Sequence, residues 1–349
     1  MKISMPEATL GTAGVQQVDV GQVKFGPVRI GRLSLNGVTV KAGTGAAQLR
    51  NVRVVLGLVF ALDWSVGVVI DAGPFGKIDF TQSGTLDGGV GSDTLVGATA
   101  YDVTGSNAGT ASGLSGAGKG WTGIENLVGT TDATAGDTFT FESGSTLSGT
   151  ADGKDGPDTF TLAGTGTATV GLLAGGSGTD TFDLGTATLT GSIDGGTESD
   201  TLLATGATSI NYTVTGASSG SSDHSGAFSN IEVLTGTTGA DTLNLGTATF
   251  AGTFDGGAGS DTITPTGATA ISYTVTGSNA GTSNRVGSWL NVENLNGASG
   301  ADTFVFNANS TLTGAASGLD GNDTFTLGGT ATVGTLVGGT GNDTFDLAG

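Results

Sequence analysis

The chain has 349 residues, of which 67 are glycine, and it carries a formal net charge of −20. So much glycine argues against one large globular core. Cysteine is absent, which excludes disulfide frameworks and thiol catalysis. We expect so acidic a chain to repel nucleic acid and anionic membrane surfaces, and to attract cations.

The charge divides unevenly, at +3 over residues 1–80 and −23 over residues 81–349. We therefore predict a small all-β cap or assembly domain over residues 1–84 and an acidic repeat domain over residues 85–349. Residues 18–42 form pentads with apolar first and third places, and either short solenoid strands or an antiparallel meander fit them. The apolar run 53–65 contains Arg53 and Asp63, so we interpret it as a buried strand and expect no membrane insertion.

An Asp-Thr pair recurs ten times between Asp93 and Asp343. Most intervals are 20–22 residues and three are 41–44 residues. If the long intervals count as two, the mean is about 21 residues, the size of one coil in a parallel β-solenoid. Apolar residues alternate in short runs, as in Phe182 and Leu184, which is typical of strands. The sequence predicts an all-β fold, a parallel β-solenoid.

We interpret each long interval as two coils in which a polar loop replaces one glycine-rich turn. All three contain Y-x-V-T-G, beginning at Tyr101, Tyr212 or Tyr273, and later an acidic motif such as IENL (124–127). This interpretation predicts about 13 coils from residue 93 onward, whereas projecting hairpins would leave about ten.

A glycine-rich hexad precedes most of the Asp-Thr pairs, and residues 88–93, 175–180, 256–261 and 338–343 keep the pattern GGxGxD. The pattern resembles the hemolysin-type repeat of RTX proteins, which include large bacterial surface proteins and adhesins. The resemblance implies that turn carbonyls and the aspartates of neighbouring coils bind Ca²⁺. Since each coil has one hexad, we expect Ca²⁺ at one edge only.

The candidate ligands are the turn aspartates with a neighbour one coil away, which form three runs with at most six positions between coils. They are Asp137, Asp158, Asp180 and Asp200; Asp241 and Asp261; and Asp302, Asp323 and Asp343. Eroded hexads such as TTGAD (237–241) would lower that number. In the alternative, each aspartate only accepts backbone N–H bonds in its own turn.

No catalytic constellation is recognisable, and His224 is the only histidine. The sequence favours a non-enzymatic, secreted or cell-surface structural or adhesive protein, a stiff rod stabilised by Ca²⁺. One alternative is a filament or surface-layer subunit joined end to end with copies of itself. A β-helical enzyme acting on polysaccharide is another, based on fold alone.

Overall fold

The computed structural model describes residues 69–71, 85–114, 120–267 and 269–347. The predicted N-terminal domain, with its pentads and the strand predicted at residues 53–65, lies outside the described residues except for residues 69–71. These three residues pair in parallel with residues 94–96. The first sheet therefore begins within the range assigned to that domain.

The described chain forms two long sheets of 14 and 16 strands, here named sheet A and sheet B. The chain alternates between the sheets, and neighbouring strands run parallel except at three antiparallel meanders. The prediction of an all-β parallel solenoid is confirmed. Within the described ranges, no helix is long and apolar enough to cross a membrane.

Sheet A contains, in spatial order, β1 (Val69–Asp71), β3 (Thr94–Val96), β7 (Asn126–Val128), β9 (Thr146–Asp155), β11 (Thr167–Ser177), β13 (Thr188–Thr197), β17 (Ala227–Ser229), β16 (Ser219–Ser222), β15 (Asn211–Gly216), β19 (Thr242–Gly246), β21 (Thr262–Pro265), β25 (Asn294–Asn296), β27 (Thr311–Ser317) and β29 (Thr332–Val337). Sheet B contains β2 (Thr85–Asp87), β6 (Gly120–Thr122), β5 (Ala108–Ala111), β4 (Ala100–Gly105), β8 (Thr138–Phe141), β10 (Thr159–Leu162), β12 (Thr181–Asp183), β14 (Thr201–Leu203), β18 (Val233–Thr235), β20 (Phe250–Asp255), β24 (Val286–Leu290), β23 (Ala280–Ser283), β22 (Ser272–Gly277), β26 (Thr303–Phe306), β28 (Thr324–Leu327) and β30 (Thr344–Asp346).

The core lies between the sheets because alternate residues of each strand point inward. Phe139, Phe160 and Phe182 occupy the same position in β8, β10 and β12, and their ring centroids are 4.8 Å apart. Phe304 and Phe325 repeat the stack in β26 and β28 at 4.7 Å. All five rings are fully buried. Identical side chains in register therefore give a core that continues from coil to coil.

Each long interval contains a three-stranded antiparallel meander that lies within a sheet. The meanders are β4–β5–β6 and β22–β23–β24 in sheet B, and β15–β16–β17 in sheet A. The interpretation of these intervals as two coils is wrong, although the hairpins do not project from the rod either. An interval of 41 residues holds about one and a half coils plus the two further strands of the meander, so it is as long as two coils.

The extra half coil moves the glycine-rich turn to the opposite edge of the rod. The Asp-Thr pair opens a sheet A strand at β3, sheet B strands from β8 to β14, sheet A strands at β19 and β21, and sheet B strands from β26 to β30. The turns thus lie either where the chain enters sheet A, the A-entry edge, or where it enters sheet B, the B-entry edge. The prediction that the turns share one edge is wrong because every meander exchanges the edges.

The middle strand of a meander carries glycine where the aromatic ring of the third strand packs. A Cβ atom on Gly109 would lie 2.9 Å from Cζ2 of Trp121, and one on Gly281 would lie 2.5 Å from Cζ2 of Trp289. Both tryptophans are buried. Glycine is therefore required for the meander to close over its own aromatic residue.

The tyrosine in the first strand of each meander reaches backbone carbonyls of the opposite sheet. The hydroxyl of Tyr212 lies 3.1 Å from the carbonyl oxygen of Leu202 and 2.8 Å from that of Thr235. The hydroxyl of Tyr273 donates to the carbonyl of Asn296 at 2.9 Å. These bonds hold the meander against the sheet that has no extra strands at that level.

We predict that Tyr212→Phe lowers the free energy of unfolding by about 1–2 kcal/mol, because the carbonyls of Leu202 and Thr235 lose the one hydroxyl proton that they share. Tyr273→Phe removes one hydroxyl donor from the carbonyl of Asn296 and should have an effect of similar size. Denaturant unfolding of the purified proteins, followed by circular dichroism, measures both values. Unchanged stability in Tyr212→Phe would show that the hydroxyl does not hold the meander.

Candidate functional site

Each predicted ligand is the residue immediately before a strand, at the end of its turn. Eight of the nine are at most 1% exposed, and Asp343, in the last described turn, is half-buried. Burial of so many carboxylates is unusual, because ionised side chains are seldom buried without a partner. The chemistry of these carboxylates therefore depends on which of their oxygens accept hydrogen bonds.

The aspartates of neighbouring coils are joined by a repeated hydrogen bond. The backbone N–H of Asp137 donates to Oδ1 of Asp158 at 2.6 Å, that of Asp158 to Asp180 at 2.7 Å, and that of Asp180 to Asp200 at 2.8 Å. We call such a stack an acid column. This first column lies on the B-entry edge.

The other two predicted runs form columns in the same way. The N–H of Asp241 donates to Oδ1 of Asp261 at 2.8 Å on the A-entry edge. On the B-entry edge, Asp302 donates to Asp323 at 2.8 Å and Asp323 to Asp343 at 3.0 Å. The structure therefore groups the nine aspartates into the three predicted runs, and it separates successive runs onto opposite edges.

Three glutamates that the sequence analysis did not single out complete the columns. Oε2 of Glu232 accepts the N–H of Asp200 at 3.1 Å, and Oε2 of Glu293 accepts that of Asp261 at 2.8 Å. Glu125 accepts the N–H of Asp93 at 2.8 Å. The signal was present in the sequence, because I/V-E-x-L has the acid-x-apolar spacing of D-T-F/L. We call these residues the closing glutamates.

Hairpin asparagines hold two of the closing glutamates. Nδ2 of Asn107 donates to Oε1 of Glu125 at 2.9 Å, and Nδ2 of Asn279 donates to Oε1 of Glu293 at 2.7 Å. Oδ1 of Asn279 also accepts the N–H of Thr313 in the following coil at 2.9 Å. The meander thus fixes the glutamate that ends the column beside it.

The first glycine of each turn makes room for the carboxylate. A Cβ atom on Gly175 would lie 2.1 Å from Oδ2 of Asp180 and 2.4 Å from the carbonyl oxygen of Gly195 in the next coil. Any side chain there would displace the aspartate. A carboxylate oxygen and a carbonyl oxygen therefore converge on each such glycine.

The second carboxylate oxygen, Oδ2, occurs in two different environments. In three aspartates it accepts an N–H from its own turn: from Thr130 to Asp137, from Thr237 to Asp241, and from Ala298 to Asp302, at 2.5, 2.5 and 2.6 Å. In five others Oδ2 is buried and has no hydrogen-bond partner: Asp158, Asp180, Asp200, Asp261 and Asp323. The bond within the turn that we considered as the alternative to Ca²⁺ thus occurs, but at three positions.

Burial raises the pKa of the unpartnered carboxylates. Desolvation, which outweighs the accepted N–H bond, raises the pKa of Asp158 and Asp200 to about 7 and that of Asp180 and Asp261 to about 6. Two charged carboxylates about 4.8 Å apart would repel by about 3.5 kcal/mol at an effective dielectric of 20. In the part of the chain that the structure describes, no lysine or arginine forms an ion pair with them. Bound protons or cations would remove this repulsion.

Whether a metal ion suits the turns depends on oxygen donors from the main chain. Among the described residues, no group of three or more His, Cys, Asp or Glu could hold a metal. The five turns with an unpartnered Oδ2 instead supply that carboxylate oxygen beside a carbonyl oxygen, as at Asp180 and Gly195. These are hard donors of the kind that Ca²⁺ prefers. The donors present at a turn thus fit Ca²⁺ by their chemistry.

The chain matches no protein-family model and no curated protein sequence.

We predict that, without divalent cations, the protein is more stable at about pH 5 than at about pH 7.5. The ordinary pKa of an aspartate is 3.8, so a raised pKa in the folded state means that folding takes up protons. The resulting stability is complete below about pH 4 and is lost as the pH rises through about 6 to 7. Thermal unfolding in EDTA across this range measures the effect.

Asp180→Asn provides the matched test of this pH dependence. Its amide keeps an oxygen for the N–H of Asp158 and places a donor where Oδ2 was, so the variant should be less sensitive to pH. Asp132→Asn is the control, because hydrogen bonds from Thr134 lower the pKa of this exposed carboxyl. Equal pH dependence in Asp180→Asn and the parent would contradict the assignment.

We predict that Glu293→Ala lowers the free energy of unfolding by about 1–3 kcal/mol, because it leaves the N–H of Asp261 without an acceptor and removes one of the two acceptors of the Asn279 amide. Glu293→Gln keeps one acceptor oxygen for one of these two donors and should lose less stability than Glu293→Ala. Denaturant titrations of the two variants and the parent measure the difference. Equal losses in both variants would mean that charge, and not the hydrogen bond, closes the column.

Proposed function

We propose that this chain is a non-enzymatic structural or adhesive rod that works outside the cell or at its surface, and that Ca²⁺ stabilises it at the acid columns. The observation that carries the proposal is the stack of buried carboxylates whose second oxygen has no partner on five coils. The resemblance of the hexads to RTX repeats agrees with it.

Stiffness is the mechanical property that this architecture provides. Both sheets continue through the described coils with backbone pairing between neighbouring strands, and aromatic stacks fill the core at 4.7–4.8 Å spacing. Bending such a rod would disturb the ladders, the core and the columns together. A rod of this kind suits a spacer that holds other parts of a protein away from a surface.

Calcium would act at the unpartnered carboxylates. It would neutralise buried charge there and take Oδ2 of residues such as Asp180 together with nearby main-chain carbonyls. Extracellular fluids commonly contain enough Ca²⁺ to fill sites of extracellular-grade affinity, with dissociation constants of about 10⁻⁴ to 10⁻³ M. This links the proposed ion to the proposed location.

We predict that millimolar Ca²⁺ raises the thermal midpoint at about pH 7.5 and has less effect at about pH 5, where protons already neutralise the columns. Differential scanning calorimetry with Ca²⁺, and with Mg²⁺ for comparison, measures the shift. Asp180→Asn should lose part of the Ca²⁺ response, whereas Asp241→Asn, in which Oδ2 of the parent residue accepts the N–H of Thr237, should keep it. No response to Ca²⁺ in the parent would refute the proposed ion.

A filament or surface-layer subunit is the second candidate, favoured by the outer faces of β29 and β30. The ring of Phe345 is 45% exposed and stacks on Phe325 with 4.9 Å between centroids. A further coil, from the same chain or from a second copy, would cover it. Sedimentation velocity over a range of concentrations distinguishes end-to-end association of copies from a single rod.

A further inference from the structure

The turns before the buried aspartates fall into two conformational classes. In the turns that we call open, Oδ2 is buried and unpartnered; in those that we call closed, Oδ2 accepts an N–H from the turn's second residue. The open turns are residues 153–158, 175–180, 195–200, 256–261 and 318–323. The closed turns are residues 129–137, 236–241 and 297–302.

The backbone conformation at the second position separates the classes. Every open turn has a positive φ there: 79° at Lys154, 112° at Gly176, 106° at Gly196, 86° at Gly257 and 69° at Leu319. Thr130, Thr237 and Ala298, the second residues of the closed turns, do not have a positive φ. The class of each of these eight turns therefore follows from one torsion angle.

The direction of the second N–H differs between the two classes. With φ positive, the N–H of Gly257 turns back to Oδ1 of Asp255 at 3.0 Å, and that of Lys154 turns back to Oδ1 of Asp152 at 3.2 Å. With φ negative, the same N–H points at the column, as it does from Thr237 to Oδ2 of Asp241. One peptide group thus either serves the buried carboxylate or leaves it without a donor.

Residue type biases this choice. Glycine adopts a positive φ freely, whereas a residue with a Cβ atom loses about 1–2 kcal/mol there, and β-branched residues tolerate it least. The closed turns have Thr, Thr and Ala at the second position, and three of the five open turns have Gly. Lys154 and Leu319 accept the strained conformation in the other two.

We propose that the second residue of each turn decides whether its column carboxylate is satisfied by the main chain or requires an external positive partner. Under the proposed function, on which this inference rests, that partner is Ca²⁺. Ca²⁺ then belongs to the open turns, and the closed turns are those in which an N–H has replaced the ion. Five ions are therefore expected at the eight turns of the two classes.

Two adjacent coils allow a reciprocal exchange, because GGAGSD (256–261) and GTTGAD (236–241) have the same length. The triple variant Gly257→Thr, Ala258→Thr and Ser260→Ala gives the open turn the closed sequence. Threonine cannot keep the open conformation at position 257, where a Cβ atom would lie 2.4 Å from the carbonyl oxygen of Thr237. Asp255 loses one donor but retains the amide of Asn291 at 2.8 Å. The reverse variant is Thr237→Gly, Thr238→Ala and Ala240→Ser.

Isothermal titration with Ca²⁺ at about pH 7.5 and thermal unfolding in EDTA are the two measurements. The closed-sequence variant should bind one Ca²⁺ equivalent fewer than the parent and melt higher than the parent in EDTA. The reverse variant should bind one equivalent more than the parent and melt lower in EDTA. Hydrogen exchange should show new protection of the amide of residue 257 in the first variant and lost protection at residue 237 in the second.

The two measurements test the proposed ion and the turn rule separately. If no protein binds Ca²⁺ but the melting order in EDTA is as expected, the turn rule stands and the proposed ion is wrong. If the melting order is reversed or absent in both variants, the turn rule is overturned, whatever Ca²⁺ does. Because the reverse variant places glycine, which adopts either sign of φ, at position 237, it keeps the test decisive should the closed-sequence variant fail to fold.

Discussion

The hydrogen bond from the backbone N–H of one turn to the carboxylate of the next coil is the interaction on which the rest of the rod depends. A buried N–H needs an acceptor, and a charged acceptor gives a bond of about 1.5–3 kcal/mol. In the first column, this bond joins Asp137 to Asp158, Asp158 to Asp180 and Asp180 to Asp200. The glycine at the head of each turn and the strand that follows are both placed by it, because the carboxylate fits only against a Cα without a side chain.

The same interaction limits how long a column can be. Each further buried carboxylate adds desolvation and repulsion from its neighbours, and both act in the same direction on the pKa of Asp158 and Asp200. The meanders relieve this accumulation. Each ends a column with a half-buried glutamate, such as Glu232, and moves the next column to the opposite edge. Like charges therefore stack in short runs, and no edge carries a continuous line of them.

Sequence reasoning predicted the solenoid and the three runs of aspartates because both follow from strict periodicity. It failed where two structures have the same length. One and a half coils plus the two further strands of a meander occupy as many residues as two coils, so spacing alone could not reveal the meanders or the exchange of edges. Glu125, Glu232 and Glu293 were missed because the search followed Asp-Thr, although the acid-x-apolar pattern continues through them. The two environments of Oδ2 could not be predicted, since they depend on the direction of one N–H group.

Burying carboxylates lowers the stability of the rod, but their positions fix the register of the strands. A strand ladder of similar Thr-Phe-Thr repeats can slip by two residues with little change in its apolar contacts, because apolar residues recur at every second position. The carboxylate bond removes this freedom. If Asp158 moved by two residues, the N–H of Asp137 would lose its acceptor, and the carboxylate would meet a side chain in place of Gly153, where a Cβ atom would lie 2.0 Å from Oδ2. Buried polar groups can specify register while they lower stability, and each turn aspartate of the columns is such a group. An ion or a proton that neutralises the column reduces the free-energy cost of burying the carboxylates and leaves the strand register fixed.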